Sequence, residues 1–173
     1  MSEIDLTLRG AEFEDAASLI DLLNQLGSET EFMSFDRFGM GLKPELLGRH
    51  LEAIAASDHQ LLLVAEANGG LVAVASIAAD EDPRTYHIGE VGIGVLQEYW
   101  GLGLGSILLE ELLDWAEAGE VLFRLELKVQ VQNQRARHLY EKFGFATETI
   151  MSRGARGDQG EFLDVAFMSR LLH

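Results

Sequence analysis

Three glycines at alternate positions, Gly101, Gly103 and Gly105, close a run that opens with Val91-Gly-Ile-Gly-Val95 and continues through Leu96-Gln-Glu-Tyr-Trp100. Ser106 follows, then a segment whose apolar positions Leu104, Ile107, Leu108, Leu112 and Trp115 recur every three or four residues. That spacing predicts a helix with one buried face, and the whole stretch reads as strand, glycine turn, helix. Glycines leave no side chains over the first helical turn, so its unpaired N–H groups lie open to an anion. The chemistry on offer from Trp100 to Ser106, with Leu102 and Leu104 between the glycines, is a cradle for phosphate or pyrophosphate. The same residues equally suit a tight turn that packs a helix. The spacing is not the G-x-G-x-x-G of a dinucleotide fold, and no strand–helix–strand unit precedes it. No lysine follows the last glycine, which excludes a Walker loop.

A second constellation lies at Val129-Gln-Val-Gln-Asn133-Gln-Arg-Ala136-Arg-His-Leu-Tyr140-Glu-Lys-Phe-Gly-Phe145. Taken with the glycine turn, it resembles the GNAT superfamily of acetyl-CoA-dependent N-acetyltransferases. That family's glycine motif and its N-x-x-A-x-x-x-Y-x-x-x-G-F motif are matched in order and spacing, except that Trp100 stands where Gln or Arg is usual. The resemblance implies acetyl-CoA as cosubstrate, no metal, and a single domain over residues 1–173. It also implies a mixed, mostly antiparallel sheet of about seven strands with about four helices. Asn133 is similar to the residue that bonds the pantetheine arm, and it also suits a helix cap. Tyr140 is similar to the acid that protonates the leaving thiolate; its other reading is a core aromatic. The family's split beside the strand ending at Val95 makes the backbone of Ile93 and Val95 the candidate oxyanion and pantetheine contacts. Gly92 and Gly94 permit such a splay. No Lys or Arg occurs from Trp100 to Glu120, whereas cations cluster at Lys128, Arg135, Arg137 and Lys142. Pyrophosphate is left to N–H groups and the helix dipole, and of these cations Arg137 and Lys142 are assigned to the adenosine phosphate of the cofactor; the alternative is a solvated helix face.

Acetyl transfer needs a neutral amine, and an alkyl amine with a pKa near ~10 is about 0.1% neutral at pH 7, a handicap of ~4 kcal/mol. A carboxylate that takes the proton, directly or through water, removes it. Glu90 is the candidate, read as lying among Ile88, Val91 and Ile93 in an apolar setting that raises its pKa; otherwise it is an outward-facing strand residue. For the acceptor, the irregular stretch after the first helix offers Glu29, Glu31, Phe32 and Asp36 as a wall with apolar body and anionic points. Such a wall suits a small cationic, polyamine-like amine, transferred to directly in a ternary complex. The alternatives are a protein N-terminus of the ribosomal-protein type and a non-catalytic acyl-CoA sensor on the same fold.

The elements that must position these groups follow in order. Ile4–Leu8 alternates as a strand, and residues Phe13 to Leu26 read as a helix stopped by Gly27. Pro44 opens a second helix through about Ala56, with Leu47, Leu51 and Ile54 on one side. Leu61–Glu66 and Leu71–Ile77 flank Asn68-Gly-Gly70 as a hairpin. Tyr86–Val95 is the strand before the turn, and Leu122–Val131 the strand after its helix, with Leu125, Leu127 and Val129 inward. A short helix from Arg135 to Phe143 precedes a closing strand pair, Phe145–Met151 and Phe162–Leu171, around Gly154–Gly160.

Composition bounds the answer. At 173 residues the chain can bury a substantial core. The formal charge of −16 argues against nucleic acid and suits a cationic substrate, though it equally serves solubility. No cysteine is present, so there is no disulfide and no thiolate nucleophile. No apolar run approaches the ~20 residues of a membrane span, and the acidic N-terminus lacks a secretory pattern. The expectation is a cytoplasmic enzyme with no membrane partner; a homodimer is allowed, not required.

Overall fold

The computed structural model describes residues 4–29 and 43–173. Its elements are β1 (Leu6–Gly10), α1 (Ala16–Glu29), α2 (Pro44–Ala55), β2 (Leu61–Ala67), β3 (Gly70–Ala78), β4 (Ile88–Val95), α3 (Leu104–Gly119), β5 (Arg124–Gln130), α4 (Gln134–Lys142), β6 (Ala146–Arg156) and β7 (Phe162–Leu171). The strands form one seven-stranded sheet in the order β1-β2-β3-β4-β5-β7-β6. Every neighbouring pair is antiparallel except β4–β5, whose parallel crossover is made by α3. The fold class is the expected α/β one, with seven strands and, among the described residues, four α-helices.

Burial follows the alternation of the strands and the faces of the helices. Leu125, Leu127 and Val129 of β5 are buried, as are Leu47, Leu51 and Ile54 of α2. In α3 the buried set is Leu104, Leu108, Leu109, Leu112, Leu113 and Ala116, so the core face is broader than the predicted stripe. Ile107 is exposed, against expectation. At 100° per residue it stands almost opposite the centre of that buried arc. Gly27 does not stop α1, which continues to Glu29. The last turn is held by Ser28 Oγ donating to the Gln25 carbonyl (2.7 Å) and Gln25 Nε2 donating to Glu29 (3.1 Å). A mid-helix glycine costs only about 1 kcal/mol against alanine, which such contacts offset.

Two side-chain knots fix the layers. Arg9 on β1 reaches Asp15 through both guanidinium ends (2.6 and 2.8 Å) and Glu66 on β2 (2.8 Å). Asp15 also accepts the Glu12 N–H at 2.7 Å, closing the turn that opens α1. The Arg9 hydrogen bonds hold the Asp15 carboxyl below its ordinary value. On the other knot, His59 is buried, stacks on Tyr86 at 3.7 Å, and meets Ser57 Oγ (2.9 Å) and the Asp80 carbonyl (3.2 Å). It ties the turn after α2 to the loop between β3 and β4. Finally, β6 runs to Arg156 rather than ending at Met151, because register shifts after Thr147 and Met151 absorb the extra residues.

Candidate active site

The sheet forks at β4. Its ladder with β3 runs from Glu90 to Val95, but its pairing with β5 covers only Ile88–Glu90 against Arg124–Glu126. Beyond that joint, β5 pairs with β7 alone. Gly89 lets the joint close: a Cβ there would stand 2.5 Å from Ile77 Cγ2 and 3.1 Å from Leu125 Cδ2. Past it, the β4 edge turned from β3 has no strand partner among the described residues. The Leu96 N–H bonds back to Val72 of β3 (3.0 Å), whereas the Val95 carbonyl accepts the Trp100 indole N–H at 2.7 Å. By the two-residue alternation of a strand, Ile93 shares the outward side with Val95. Their backbone groups open into the gap.

A cavity of about 350 Å³ fills the mouth of this fork, walled by Ile93 and Val95, by Trp100, Gly101, Gly103, Leu104, Gly105 and Ser106, and by Asn133, Arg135 and Tyr140 of the α4 side. Gly101 and Gly103 carry φ of +80° and +78°, a conformation in which a side chain is strained. The turn thus requires those glycines whatever it binds. The first helical bond of α3 runs from the Ile107 N–H to the Gly103 carbonyl, so the N–H groups of Leu104, Gly105 and Ser106 lack helical acceptors. Three bare donors at the positive end of a 16-residue helix make an anion cradle.

On α4, Asn133 caps the helix by accepting the Ala136 N–H (3.2 Å). Tyr140 is 8% exposed and packs edge-on to Phe145 at 5.8 Å, and its hydroxyl has no hydrogen-bond partner among the described residues. Burial pushes its hydroxyl up to about 12. An unpartnered hydroxyl in the cavity wall, protonated throughout the neutral range, is a standing hydrogen-bond donor.

Three residues assigned to the cofactor do not line this cavity. Leu102 points out, 56% exposed. Arg137 directs Nη1 to the Val131 carbonyl (3.4 Å), and its buried Nε has no partner. Lys142 is exposed, with its amine over the Phe143 ring. The cation in the wall is Arg135. Position on the helix decides this: Arg135, Ala136, Leu139 and Tyr140 reach the cavity, Arg137 is turned back to the Val131 carbonyl, and Lys142, on the same side as Arg135, lies two turns or about 10 Å further along the axis.

Glu90 also needs correction. It is exposed rather than set among apolar groups. Val91 and Ile93 point to the other face of the strand, so their burial says nothing of Glu90. Its same-face neighbour is Glu126, directly opposite in the β4–β5 register. The two carboxylates line a second cavity of about 220 Å³ with Ile88, Ala78, Asp80 and Thr85. Glu126 is paired with Arg124 (2.8 Å), which also grips Glu148. Glu126, Asp80 and Thr85 escaped the sequence reading of the site, and Arg135, named there within the cation cluster, was not assigned to the cofactor. Alternation in Leu125-Glu-Leu-Lys-Val129 puts Glu126 on the outer face, but only the register places it beside Glu90.

Of the proposed acceptor wall, Glu31, Phe32 and Asp36 lie outside the described residues. Glu29 is committed elsewhere: its carboxylate accepts the Gln97 N–H at 2.9 Å, tying the end of α1 to the segment after β4.

Residues 28–145 match the profile described as "Acetyltransferase (GNAT) family". A GNAT-family acetyltransferase from Streptococcus pneumoniae superposes with a TM-score of 0.92 at 43% identity, covering 97% of this chain and 100% of the other. The L-amino acid N-acetyltransferase AaaT of Escherichia coli is 31% identical over 140 residues, 75% of this chain and 86% of its own. An acetyltransferase fold from Salmonella typhimurium, solved with its cofactor acetyl-CoA, superposes at 0.83 with 24% identity, covering 98% of this chain and 95% of the other. The bare donors of the cradle and the waiting Tyr140 hydroxyl fit such a cofactor, and with the match over most of its length the chain belongs to the GNAT family, an N-acetyltransferase whose acetyl donor is acetyl-CoA.

Proposed function

We propose that the acceptor is a small cationic primary amine, acetylated directly in a ternary complex, with Glu90 as base and Tyr140 as acid. The observation that carries this reading is the second cavity. It sits at the joint of the fork, about 10 Å along β4 from Ile93 at the usual strand rise, and its charged side chains are Asp80, Glu90 and Glu126. An ammonium group is at home there. The carboxylate of a free amino acid meets like charge, since the nearby guanidinium of Arg124 is already shared between Glu126 and Glu148.

The roles follow from placement. Glu90 takes a proton from the acceptor ammonium, directly or through one water, and frees the nitrogen lone pair. The nitrogen attacks the thioester carbonyl carbon, and the backbone donors of Ile93 and Val95 receive the charge that grows on the carbonyl oxygen. The attacking nitrogen then gives up its second proton to water as the amide forms; as the C–S bond breaks, Tyr140 gives the sulfur a proton, which the solvent returns to the hydroxyl. Direct transfer is favoured because the chain has no cysteine to carry the acetyl group. Gly101, Gly103 and the amides of Leu104, Gly105 and Ser106 would hold the phosphates, and Asn133, in the wall of the same cavity, would bond the pantetheine arm.

An acceptor panel tests the assignment: spermidine, a diaminoalkane, neutral and acidic L-amino acids, and peptides beginning with Ala, Ser or Met. The expected result is CoA release with kcat/KM highest for the di- and polyamines. Higher kcat/KM for an acidic amino acid, or for a peptide N-terminus, overturns it. No CoA release with any amine, with acetyl-CoA still bound, would reassign the protein as an acyl-CoA sensor.

A further inference from the structure

We propose that Arg135, held in place by the indole of Trp100, is the side chain that binds the pyrophosphate of acetyl-CoA. The glycine turn and α3 hold no Lys or Arg from Trp100 to Glu120, so the cradle supplies backbone N–H groups but no full positive charge. Arg135 supplies one from across the cavity. It enters from the second position of α4 and lines the same cavity as Gly101 and Gly103.

Its guanidinium carbon lies 5.0 Å from the centre of the Trp100 ring. Trp100 is itself fixed, since its indole N–H is given to the Val95 carbonyl at 2.7 Å. That bond spends the only donor of the side chain, so Trp100 positions and does not bind. A cation–π contact uses none of the guanidinium's N–H donors, so they stay available for forked contact with phosphate oxygens.

The remaining arginines sharpen the contrast. Arg9, Arg49, Arg124 and Arg170 are each paired with carboxylates, Arg137 turns to a backbone carbonyl, Arg153 and Arg156 lie over the Phe162 ring, and neither these nor Arg84 lines this cavity. Arg135 has no ion pair among the described residues, in a chain of net charge −16. A cation left uncompensated beside three bare helix donors awaits an anion. The neighbouring pyrophosphate is the anion that acetyl-CoA brings to this turn. Trp100 and Arg135 thus divide the labour of one cationic residue in the turn: the ring sets the position, and the guanidinium carries the charge.

The test is calorimetric binding of acetyl-CoA and of its 3′-dephospho form. Arg135→Gln should weaken both by the same factor, about tenfold or more, as expected for a charge-assisted hydrogen bond. Arg135→Lys should recover part of the loss. Trp100→Leu should weaken binding as well, yet add little in the Arg135→Gln background, because the ring acts through the guanidinium. Thermal unfolding of the unliganded variants separates a failed fold from a lost contact. Affinity within twofold of the parent for Arg135→Gln overturns the proposal. So does a loss seen with acetyl-CoA and absent with the dephospho form, which would place Arg135 on the 3′-phosphate. Fully additive losses from Trp100 and Arg135 would sink the positioning role. None of these outcomes depends on which amine is the acceptor.

Discussion

Tyr140 and Glu90 have opposite surroundings, and the pH dependence of each should differ accordingly. Burial raises the Tyr140 hydroxyl to about 12, so it remains protonated at any pH the enzyme can be assayed. An acid is competent below its pKa, so a raised value moves its falling limb upward. The kcat profile should therefore show no decline attributable to Tyr140 up to about pH 10. Tyr140→Phe should lower kcat by about 10²-fold or more while acetyl-CoA still binds. An unchanged kcat in that variant would leave Tyr140 as a packing residue. Glu90, exposed beside Glu126, serves only while the amine is charged. Glu90→Gln should slow the reaction most near neutrality, and the deficit should shrink toward pH 10, where the amine loses its own proton. A deficit constant with pH would remove Glu90 as base.

At the scale of elements, local chemistry was readable and register was not. The glycine turn, the Asn133 cap and the hairpin at Asn68 rest on residues adjacent in the chain, and the sequence placed all three. The inward residues of β5 followed from alternation alone. Glu126 beside Glu90 depends on a parallel pairing made through a helical crossover, which no short pattern encodes. Arg135 was passed over in favour of Arg137 and Lys142 because composition finds a cation cluster but not which member stands at the cavity end of the helix. Glu90 was misread because sequence neighbours of a strand residue lie on its opposite face.

The knot between β1 and α1 gives a stability prediction at the same scale. The Arg9 hydrogen bonds lower the Asp15 pKa. A lowered carboxyl pKa contributes stability above its unfolded value, near 4, and loses it as pH falls through the folded value. Asp15→Asn should lower the thermal midpoint by several degrees at pH 7, at about 2–4 °C per kcal/mol for a chain this size. The gap to the parent should close as the pH falls below about 4. A gap that persists unchanged at pH 3 would show that the contribution is not ionic.

For the molecule as a whole, −16 sets two responses to salt with opposite signs. Self-repulsion among like charges destabilises the compact state, so added salt should raise the melting temperature of the unliganded protein. The attraction of a cationic acceptor to Asp80, Glu90 and Glu126 is screened over about 8–10 Å, so the same salt should raise its KM while kcat changes little. Glu126→Gln should reproduce part of the KM effect and flatten its dependence on salt. A KM indifferent to both would retire the cationic acceptor and leave the charge to solubility.

The fork at β4 also makes the sheet a hinge of two leaves. Strands β1–β4 and strands β5–β7 are joined across the sheet by three rungs, Ile88–Arg124, Gly89–Leu125 and Glu90–Glu126. Whatever enters the gap becomes a splint between the leaves, and donor binding is then a mechanical event as well as a chemical one. The amides of Ile93 and Val95, left without a neighbouring strand, should exchange with deuterium quickly in the free protein and slow sharply when acetyl-CoA occupies the gap. Amides of β3 in register with β2 should change far less. Equal protection gained on both sides would show a general tightening instead of a splint.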